Sequence, residues 1–366
     1  MTRIEKDMPL RFVQIGDLHL TDNGLPNHRD FIRIVDELNR HMGSCIDFVF
    51  LPGDNADDGT EAQFALVRGG LNELRLPWHA IPGDHDFKPR SLDNFYRGLR
   101  VRSLPYAEEV RDCLCLFLDV VSHGTGGPDF KLGPAQMKWL EDQLAVAKRD
   151  GKPCVIMMHA YPADLGDEAA GLARLIDESS TSLVVMGHTH YNELSHDGRT
   201  IYAATRSTGQ IEEGPVGFTI AAVDRGAVSW RFKTLDSSWP FVMITSPADR
   251  RLAMQGEPTC DIRASAWGAI PIQRAEFRID DGAWQPMARA DGQQFAASSH
   301  PPGRRHEIEV RVTDKDGGTG SDLIEIDPTT ASERTSLGSD RNTIGAWAER
   351  HLMGTQLGPN RNGRKW

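Results

Sequence analysis

Short apolar runs rich in β-branched residues alternate with longer amphipathic stretches over the first two thirds of the chain. The runs are bounded by Gly or Pro, a pattern typical of buried strands. We therefore predict strands at 10–15, 47–51, 79–82, 154–158 and 183–186. The stretches between several of them predict helices at 30–42, 60–74, 134–148 and 169–178. Strands joined by helices favour a layered α/β fold, with β-sheets flanked by helices, over residues 8–235.

Beyond residue 233 the helical pattern stops, and short β-like runs alternate with turns. The turns have sequences such as Asp280-Asp281-Gly282, which are typical of hairpins. We therefore predict a second domain at 240–328, a small antiparallel β-sandwich of immunoglobulin-like or fibronectin-like type. The predicted strands of this module are 241–245, 260–266, 275–279, 307–312 and 323–326.

The C-terminal tail, 329–366, contains one amphipathic stretch at 343–353. In that stretch Ile344, Trp347 and Leu352 could share one face of a short helix. The residues after it are basic and rich in helix breakers. We expect the tail to be disordered or to dock onto a neighbour rather than to take part in catalysis. The β module and the tail are therefore the candidates for a homo-oligomer contact.

Carboxylates and imidazoles follow the ends of the five predicted strands. Since ligand sites of open α/β sheets lie beyond the carboxyl ends of the strands, we expect these side chains to converge. Such groups bind divalent first-row metals, and a carboxylate can bridge two ions about 3.5–4 Å apart. The pattern predicts a two-metal site with Asp54 as the bridging candidate; the lone His159 would by itself also fit a core histidine. The predicted metal ligands are Asp17, His19, Asp54, Asp84, His159, His188 and His190.

The order of these motifs resembles that of the calcineurin-like metallophosphoesterases, and the resemblance covers roughly residues 8–233. The chain follows the family signature D-x-H, G-D, G-N-H-[ED], a lone His and G-H-x-H in this order, with Asp84 at the Asn position of the third motif. The resemblance implies a layered metallophosphoesterase sandwich with two divalent or mixed-valence metal ions. It implies ligands Asp17, His19, Asp54 and His190 for one ion, and Asp54, Asp84, His159 and His188 for the other.

The resemblance also implies catalytic residues. His85, with Asp86 behind it, matches the histidine that contacts the phosphoryl group or protonates the leaving group. The neighbouring Asn55, Asp57 and Asp58 lie in a polar turn, and we expect them to support ligands rather than to bind metal.

Asp84 stands where the family motif has Asn. A third ionised carboxylate would make the centre less positive, so the second metal would be held more firmly and a phosphate attracted less. We expect Asp84→Asn to change metal affinity and turnover in opposite directions. The alternative is that Asp84 is protonated or turned away from the metals.

The expected reaction is hydrolysis of a small phosphodiester by a hydroxide that bridges the two metals. The spacing from Asp54 to Asp84 resembles the branch of class III cyclic nucleotide phosphodiesterases and bacterial glycerophosphodiesterases. A phosphomonoesterase with the same centre is the alternative, followed by a scaffold that keeps the fold without turnover. Mn, Fe, Zn and Co all suit these ligands.

The composition bears on the kind of substrate, the location of the protein and the state of its cysteines. The 366 residues carry a formal net charge of −11, which argues against a general nucleic-acid-binding surface. There is no apolar stretch long enough for a membrane span, so we expect a cytoplasmic protein that acts on a small phosphoester. Five cysteines without a recurrent spacing favour reduced thiols, and Cys113 and Cys115 lie in a further predicted strand at 113–118.

Overall fold

The computed structural model describes residues 8–125, 129–253, 261–299, 305–327 and 343–354. The residues described up to position 234 contain eleven strands and five α-helices. Its strands are β1 Leu10–Gln14, β2 Phe48–Leu51, β3 Trp78–Ala80, β4 Tyr106–Val110, β5 Cys113–Phe117, β6 Cys154–Met157, β7 Thr181–Met186, β8 Glu193–His196, β9 Ile201–Ala204, β10 Gly217–Asp224 and β11 Ala227–Thr234. Its helices are α1 Pro26–His41, α2 Glu61–Glu73, α3 Asp93–Leu99, α4 Gly133–Arg149 and α5 Ala169–Asp177.

These strands form two sheets that share one apolar layer. The first has the order β11-β10-β1-β2-β3, and the second has the order β4-β5-β6-β7-β9-β8. Alternate residues of β2 face opposite sides, as the strand period of two requires. Phe48 and Phe50 enter the layer between the sheets, where Phe48 lies 6.2 Å from Phe117 between ring centroids. Val49 and Leu51 belong to the core on the helical side, so the strands are buried on both faces.

The five predicted strands correspond to β1, β2, β3, β6 and β7. The predicted helix at 30–42 begins earlier, at Pro26, because proline suits the first turn of a helix. The short helix α3 and the strands β4 and β8–β11 were not predicted. The metallophosphoesterase-type α/β architecture is therefore present, with the ligand-bearing loops at the ends of β1, β2, β3, β6 and β7.

In the described ranges after residue 240, eight strands form two antiparallel four-stranded sheets. Side chains from both sheets, including Ile244, Phe277 and Val310, share one core. The sheet orders are β12-β13-β17-β16 and β15-β14-β18-β19. The strands are β12 Phe241–Ser246, β13 Asp261–Trp267, β14 Ile272–Ile279, β15 Gln285–Pro286, β16 Ala288–Asp291, β17 Gln294–Ser298, β18 His306–Asp314 and β19 Thr319–Ile326.

The amphipathic stretch of the tail does not form the expected helix. It has one short 3₁₀ turn, Ala348–Arg350, and otherwise follows an irregular path. Ile344, Trp347 and Leu352 are nevertheless buried, because they pack into the apolar layer between the two sheets of the first part. The described part of the tail thus docks onto its own chain. Among all the described residues, no helix is long and apolar enough to cross a membrane.

Candidate metal centre

The seven predicted metal ligands lie together in one buried cluster, and each has at most 6% of its surface exposed. Four of them have left-handed backbone conformations, with φ between 43° and 64°: His19, Asp54, His188 and His190. Such conformations cost free energy in residues other than glycine and persist only where the surroundings fix them. The bond from His19 N to Asp54 O, 2.8 Å long, is one of these constraints, since it ties the loop after β1 to the loop after β2.

Asp17, His19, Asp54 and His190 form the first group of donors. His19 Nε2 lies 3.1 Å from His190 Nε2 and 3.6 Å from Asp54 Oδ2. His190 Nε2 lies 3.7 Å from Asp17 Oδ2, which also accepts a 2.7 Å bond from His188 N. The other oxygen, Asp17 Oδ1, is buried without a hydrogen-bond partner among the described residues. A buried carboxylate oxygen with no donor is costly unless a cation lies beside it.

Asp54, Asp84, His159 and His188 form the second group. Asp84 Oδ1 lies 3.2 Å from His159 Nε2 and 3.3 Å from His188 Nδ1. Asp54 Oδ1 lies 3.6 Å from His159 Nε2, so the two oxygens of Asp54 face the two groups. The other ring nitrogen, His159 Nδ1, lies 2.8 Å from Pro52 O and is therefore the protonated one in the neutral ring, leaving Nε2 as the ligand atom.

These spacings fit two metal ions. Ligand atoms placed 2.0–2.2 Å from one ion lie roughly 3.0–3.6 Å from each other in octahedral or tetrahedral geometry. The separations of 3.1, 3.2, 3.3 and 3.6 Å match that range, whereas two imidazole nitrogens 3.1 Å apart gain little from each other without a shared cation or proton. The donor set of carboxylates and imidazoles also suits divalent first-row metals.

The pKa values of Asp54 and His159 respond to the negative charge that is crowded into this cluster. Burial, together with the charge of Asp84, raises the pKa of Asp54 above its usual value. Burial disfavours protonation of His159, but the charge of Asp54 and the bond to Asp84 outweigh it and raise the pKa of His159 to about 10. In the metal-free protein, a proton on His159 therefore supplies part of the positive charge that a metal ion would bring.

His85 lies beside both groups, with its imidazole oriented by Asp57. His85 Nδ1 is 3.0 Å from Asp57 Oδ1, and the backbone N–H of His85 donates a 2.9 Å bond to Asp54 Oδ1. Burial disfavours the imidazolium, but the bond to Asp57 and the charge of Asp54 outweigh it and raise the pKa of His85 to about 9. A protonated imidazole at this position can donate to an oxygen of a phosphoryl group.

Asp86, the other predicted catalytic residue, lies directly after His85 in the chain. It is fully buried, and its Oδ1 accepts a 2.8 Å bond from Ala56 N. Its Oδ2 accepts bonds from Asn55 Nδ2 at 2.8 Å and Gly83 N at 3.0 Å. Both oxygens are thus used to join the loop after β2 to the loop after β3. Asp86 therefore lies behind His85 as a link between these two loops, and its catalytic role stays a prediction.

The sequence patterns did not identify three residues that support the centre. Gln210 Nε2 donates a 3.2 Å bond to Asp57 Oδ1, and Asn27 Nδ2 donates a 2.6 Å bond to His19 O. Phe130 packs against His188 with 4.8 Å between ring centroids. None of these residues occurs in a motif with a fixed spacing, since each approaches the centre from a separate loop or helix end. Sequence order alone therefore carried no signal for them.

A family model described as calcineurin-like phosphoesterase matches residues 10–192, half of the chain. The chain belongs to the calcineurin-like phosphoesterase family. It is accordingly a metal-dependent phosphoric ester hydrolase, and the family and the clustered Asp and His residues together support a dinuclear metal site.

Relatives in this family include two kinds of phosphodiesterase. The chain is 25% identical over 240 residues to the 3′,5′-cyclic adenosine monophosphate phosphodiesterase CpdA of Escherichia coli K12, covering 61% of this chain and 84% of that protein. It is 30% identical over 128 residues to the glycerophosphodiester phosphodiesterase GpdQ of Enterobacter lignolyticus, covering 33% of this chain and 44% of that protein.

Among solved structures, the chain is similar to the purple acid phosphatase PPD1 from yellow lupin (Lupinus luteus) seeds. The TM-score is 0.52 at 13% identity, covering 64% of this chain and 53% of that chain. At this identity the likeness concerns the fold alone.

Proposed function

We propose that this calcineurin-like phosphoesterase hydrolyses a small phosphodiester of the cyclic nucleotide or glycerophosphodiester type. One observation carries the proposal: the two oxygens of Asp54 face two donor groups, beside the protonated His85. In the proposal, the first ion is held by Asp17, His19, Asp54 and His190, and the second by Asp54, Asp84, His159 and His188.

In this proposal, two bound ions would supply Lewis acidity, activating water and neutralising charge on the phosphoryl group. The protein would contribute the fixed positions of the donors, which the loop-to-loop bonds impose. His85 would donate a proton towards the phosphoryl or leaving-group oxygen, since its bond to Asp57 favours the protonated imidazole. Asp57 would orient that imidazole through the 3.0 Å contact with Nδ1.

The preference for a diester over a monoester is supported by the relatives named cyclic nucleotide and glycerophosphodiester phosphodiesterases. A phosphomonoesterase would use the same donors, so it remains the alternative for the test. The scaffold alternative has less support, because every donor position predicted from the sequence holds an Asp or His within the cluster.

The test compares a diester and a monoester under the same metal loading. Bis(4-nitrophenyl) phosphate and 4-nitrophenyl phosphate are hydrolysed with added Mn²⁺ by the wild type, by Asp54→Asn and by Asp58→Asn. Asp58 is the matched control, because it lies in the same polar turn but is 55% exposed, and its carboxylate contacts Lys88 and Gln63, neither of which is a predicted ligand. We expect diester turnover in the wild type and Asp58→Asn, and its loss in Asp54→Asn.

Cyclic AMP and a glycerophosphodiester are then compared as substrates in the same assay. A higher kcat/KM for the monoester would assign the protein to the phosphatases. No turnover of any of the four compounds at full metal loading would favour the scaffold.

We also infer how the chain divides into domains, because the two C-terminal sheets share a core of their own. Residues 8–235 would form the catalytic domain, 240–328 an immunoglobulin-like or fibronectin-like β-sandwich, and 329–366 a tail. Support comes from the two antiparallel sheets with their own core and from the end of β11 at Thr234.

A further inference from the structure

The C-terminal segment 343–354 extends an edge of the six-stranded sheet. Thr343 forms an antiparallel bridge with Ser195, and Ile344 N donates a 2.8 Å bond to Leu194 O. These partners lie in β8, which begins three residues after His190. The segment therefore reaches the part of the chain that directly follows a candidate metal ligand.

Apolar and ionic contacts hold this segment in place. Trp347 and Leu352 are 4% and 1% exposed in the layer between the two sheets. On the other side, Arg350 Nη1 lies 2.7 Å from Asp322 Oδ1 of β19, in the C-terminal sheets. The segment is thus fixed both to the α/β part and to the β module.

Between these anchors, the backbone carbonyl of His351 faces the α/β part. It accepts a 2.6 Å bond from Arg206 Nη2 and a 3.1 Å bond from Asn192 Nδ2. The Asn192 Oδ1 atom in turn accepts a 2.9 Å bond from Arg206 N. The carbonyl, the amide and the guanidinium therefore form one closed set of bonds two residues after His190.

Ser207 connects this set of bonds to the backbone of two residues in the first donor group. Ser207, the neighbour of Arg206, donates its backbone N–H to His190 O at 3.3 Å and its hydroxyl to Asp17 O at 2.8 Å. The Glu213 carboxylate accepts the backbone N–H of Asn192 at 2.9 Å and lies 3.4 Å from Arg206 Nη2. A displacement of Arg206 would consequently shift Ser207, and with it the backbone of both Asp17 and His190.

The bonds to the His351 carbonyl should stabilise the loop that carries His188 and His190. Arg206 is 1% exposed, and a buried guanidinium that loses an acceptor pays the desolvation cost of that N–H. His188 and His190 both have φ of 64°, a conformation that the surroundings must impose. Without the carbonyl, we expect Asn192 and Arg206 to seek other partners and the loop to relax.

We propose that the C-terminal segment supports the first metal site, with Asn192 as the positioning residue that transmits its contact to the loop of His190. The inference rests on the proposed dinuclear centre. It gives the β module a function, which is to anchor the segment through Asp322 while the carbonyl of His351 braces the ligand loop.

The experiment measures metal binding rather than turnover. Metal-free wild type, Leu352→Ala and Asn192→Leu are titrated with Mn²⁺ by isothermal titration calorimetry, after circular dichroism has shown that each is folded. Met353→Ala is the matched control, since Met353 is the next residue and is 54% exposed.

We expect two tightly bound ions in the wild type and in the control Met353→Ala. In Leu352→Ala and Asn192→Leu, we expect one of the two to bind at least about tenfold more weakly, as is typical when a residue supporting a ligand is lost. The rise in Tm caused by Mn²⁺ should shrink in these variants, because stabilisation by a ligand follows its affinity.

Two other results have distinct meanings. Two ions bound with wild-type affinity in both variants, together with an equal loss of Tm with and without metal, would overturn the inference and leave the segment a purely structural role. Fewer than two bound ions in the wild type itself would overturn the proposed dinuclear centre, and the inference with it.

Discussion

Asp57 Oδ1 connects two imidazoles that belong to different parts of the centre. It lies 3.1 Å from His19 Nδ1 and 3.0 Å from His85 Nδ1, and it accepts a 3.2 Å bond from Gln210 Nε2. The bonds from His19 and His85 hold the pKa of Asp57 well below its usual range. An ionised carboxylate in this position fixes the ring orientation of both histidines, so that the Nε2 atom of His19 faces the first donor group.

For Asp57→Asn we expect kcat/KM for the diester to fall about 10- to 100-fold, because both rings lose a charged acceptor. Asp58→Asn should stay within about twofold of the wild type, since Asp58 is 55% exposed and contacts Lys88 instead. Steady-state kinetics at saturating Mn²⁺ measures both. Equal rates for the two variants would show that Asp57 does not control the orientation of His85.

Asp84 gives a second prediction at the scale of one residue. Its Oδ1 contacts both His159 and His188, which argues against the alternative that the carboxylate is turned away. The bonds from these two imidazoles outweigh burial and hold the pKa of Asp84 well below its usual value, which argues against a protonated carboxyl.

For Asp84→Asn we expect an unchanged fold, affinity for the second ion lower by at least about tenfold, and a higher turnover when both sites are saturated. The loss of one negative charge weakens metal binding and leaves the centre more attractive to phosphate. Calorimetric Mn²⁺ titration and kcat at saturating Mn²⁺ test the two halves separately. Wild-type values for both would mean that Asp84 is not a ligand.

At the scale of elements, α2 contains two adjacent glycines with opposite surroundings. A Cβ added at Gly70 would lie 2.3 Å from Phe31 Cε1, whereas a Cβ at Gly69 would meet nothing within 4 Å. Phe31 is fully buried in α1, so it has little room to move. Gly70 is therefore required for the close approach of α1 and α2, and Gly69 is not.

We expect Gly69→Ala to stabilise the protein by roughly 0.5–1 kcal/mol, because alanine loses less backbone entropy in a helix. Gly70→Ala should destabilise it by about 1–3 kcal/mol through overpacking against Phe31. Thermal unfolding of the two variants, which differ only in position along one helix, measures the contrast. A stabilised Gly70→Ala would show that α1 can shift away without cost.

The elements also show which parts of the fold can be predicted from sequence. The runs that became β1, β2, β3, β6 and β7 are continuous and apolar because both faces of these strands are buried, and their ligands follow directly in the chain. The path of the tail carries no such signal. His351 acts through its backbone carbonyl, and Arg206 and Asn192 acquire partners from 145 and 159 residues away.

At the scale of the whole molecule, the two parts of the chain are joined by buried polar contacts. Arg263 of β13 donates a 2.8 Å bond to Asp224 at the end of β10. In the connecting segment, Trp239 Nε1 donates a 2.7 Å bond to Glu37 of α1 and its ring stacks on His41 at 4.1 Å between centroids. The two parts therefore present a fixed junction, and Lys233 lies within it.

Lys233 is 1% exposed, with its Nζ 4.2 Å from the centre of the Trp239 ring and 2.8 Å from Ser237 O. Burial lowers the pKa of Lys233 to about 8, against 10.5 for an exposed lysine. Between these values the unfolded chain keeps the proton and the folded chain has lost it. The contribution of this group to stability therefore rises as the pH increases from about 8 to 10.5, and below 8 the full cost of the buried charge is present.

The increase with pH distinguishes Lys233 from groups whose contribution to the stability of the folded protein falls in alkali. We expect the difference in Tm, wild type minus Lys233→Met, to increase between pH 7.5 and pH 10, since the methionine variant has no proton to lose at this site. Measuring the variant at each pH cancels the other titrating groups. The opposite trend would mean that the ammonium is stabilised by its contacts with Trp239 and Ser237 more than burial penalises it, and the junction would then be held by the charged form.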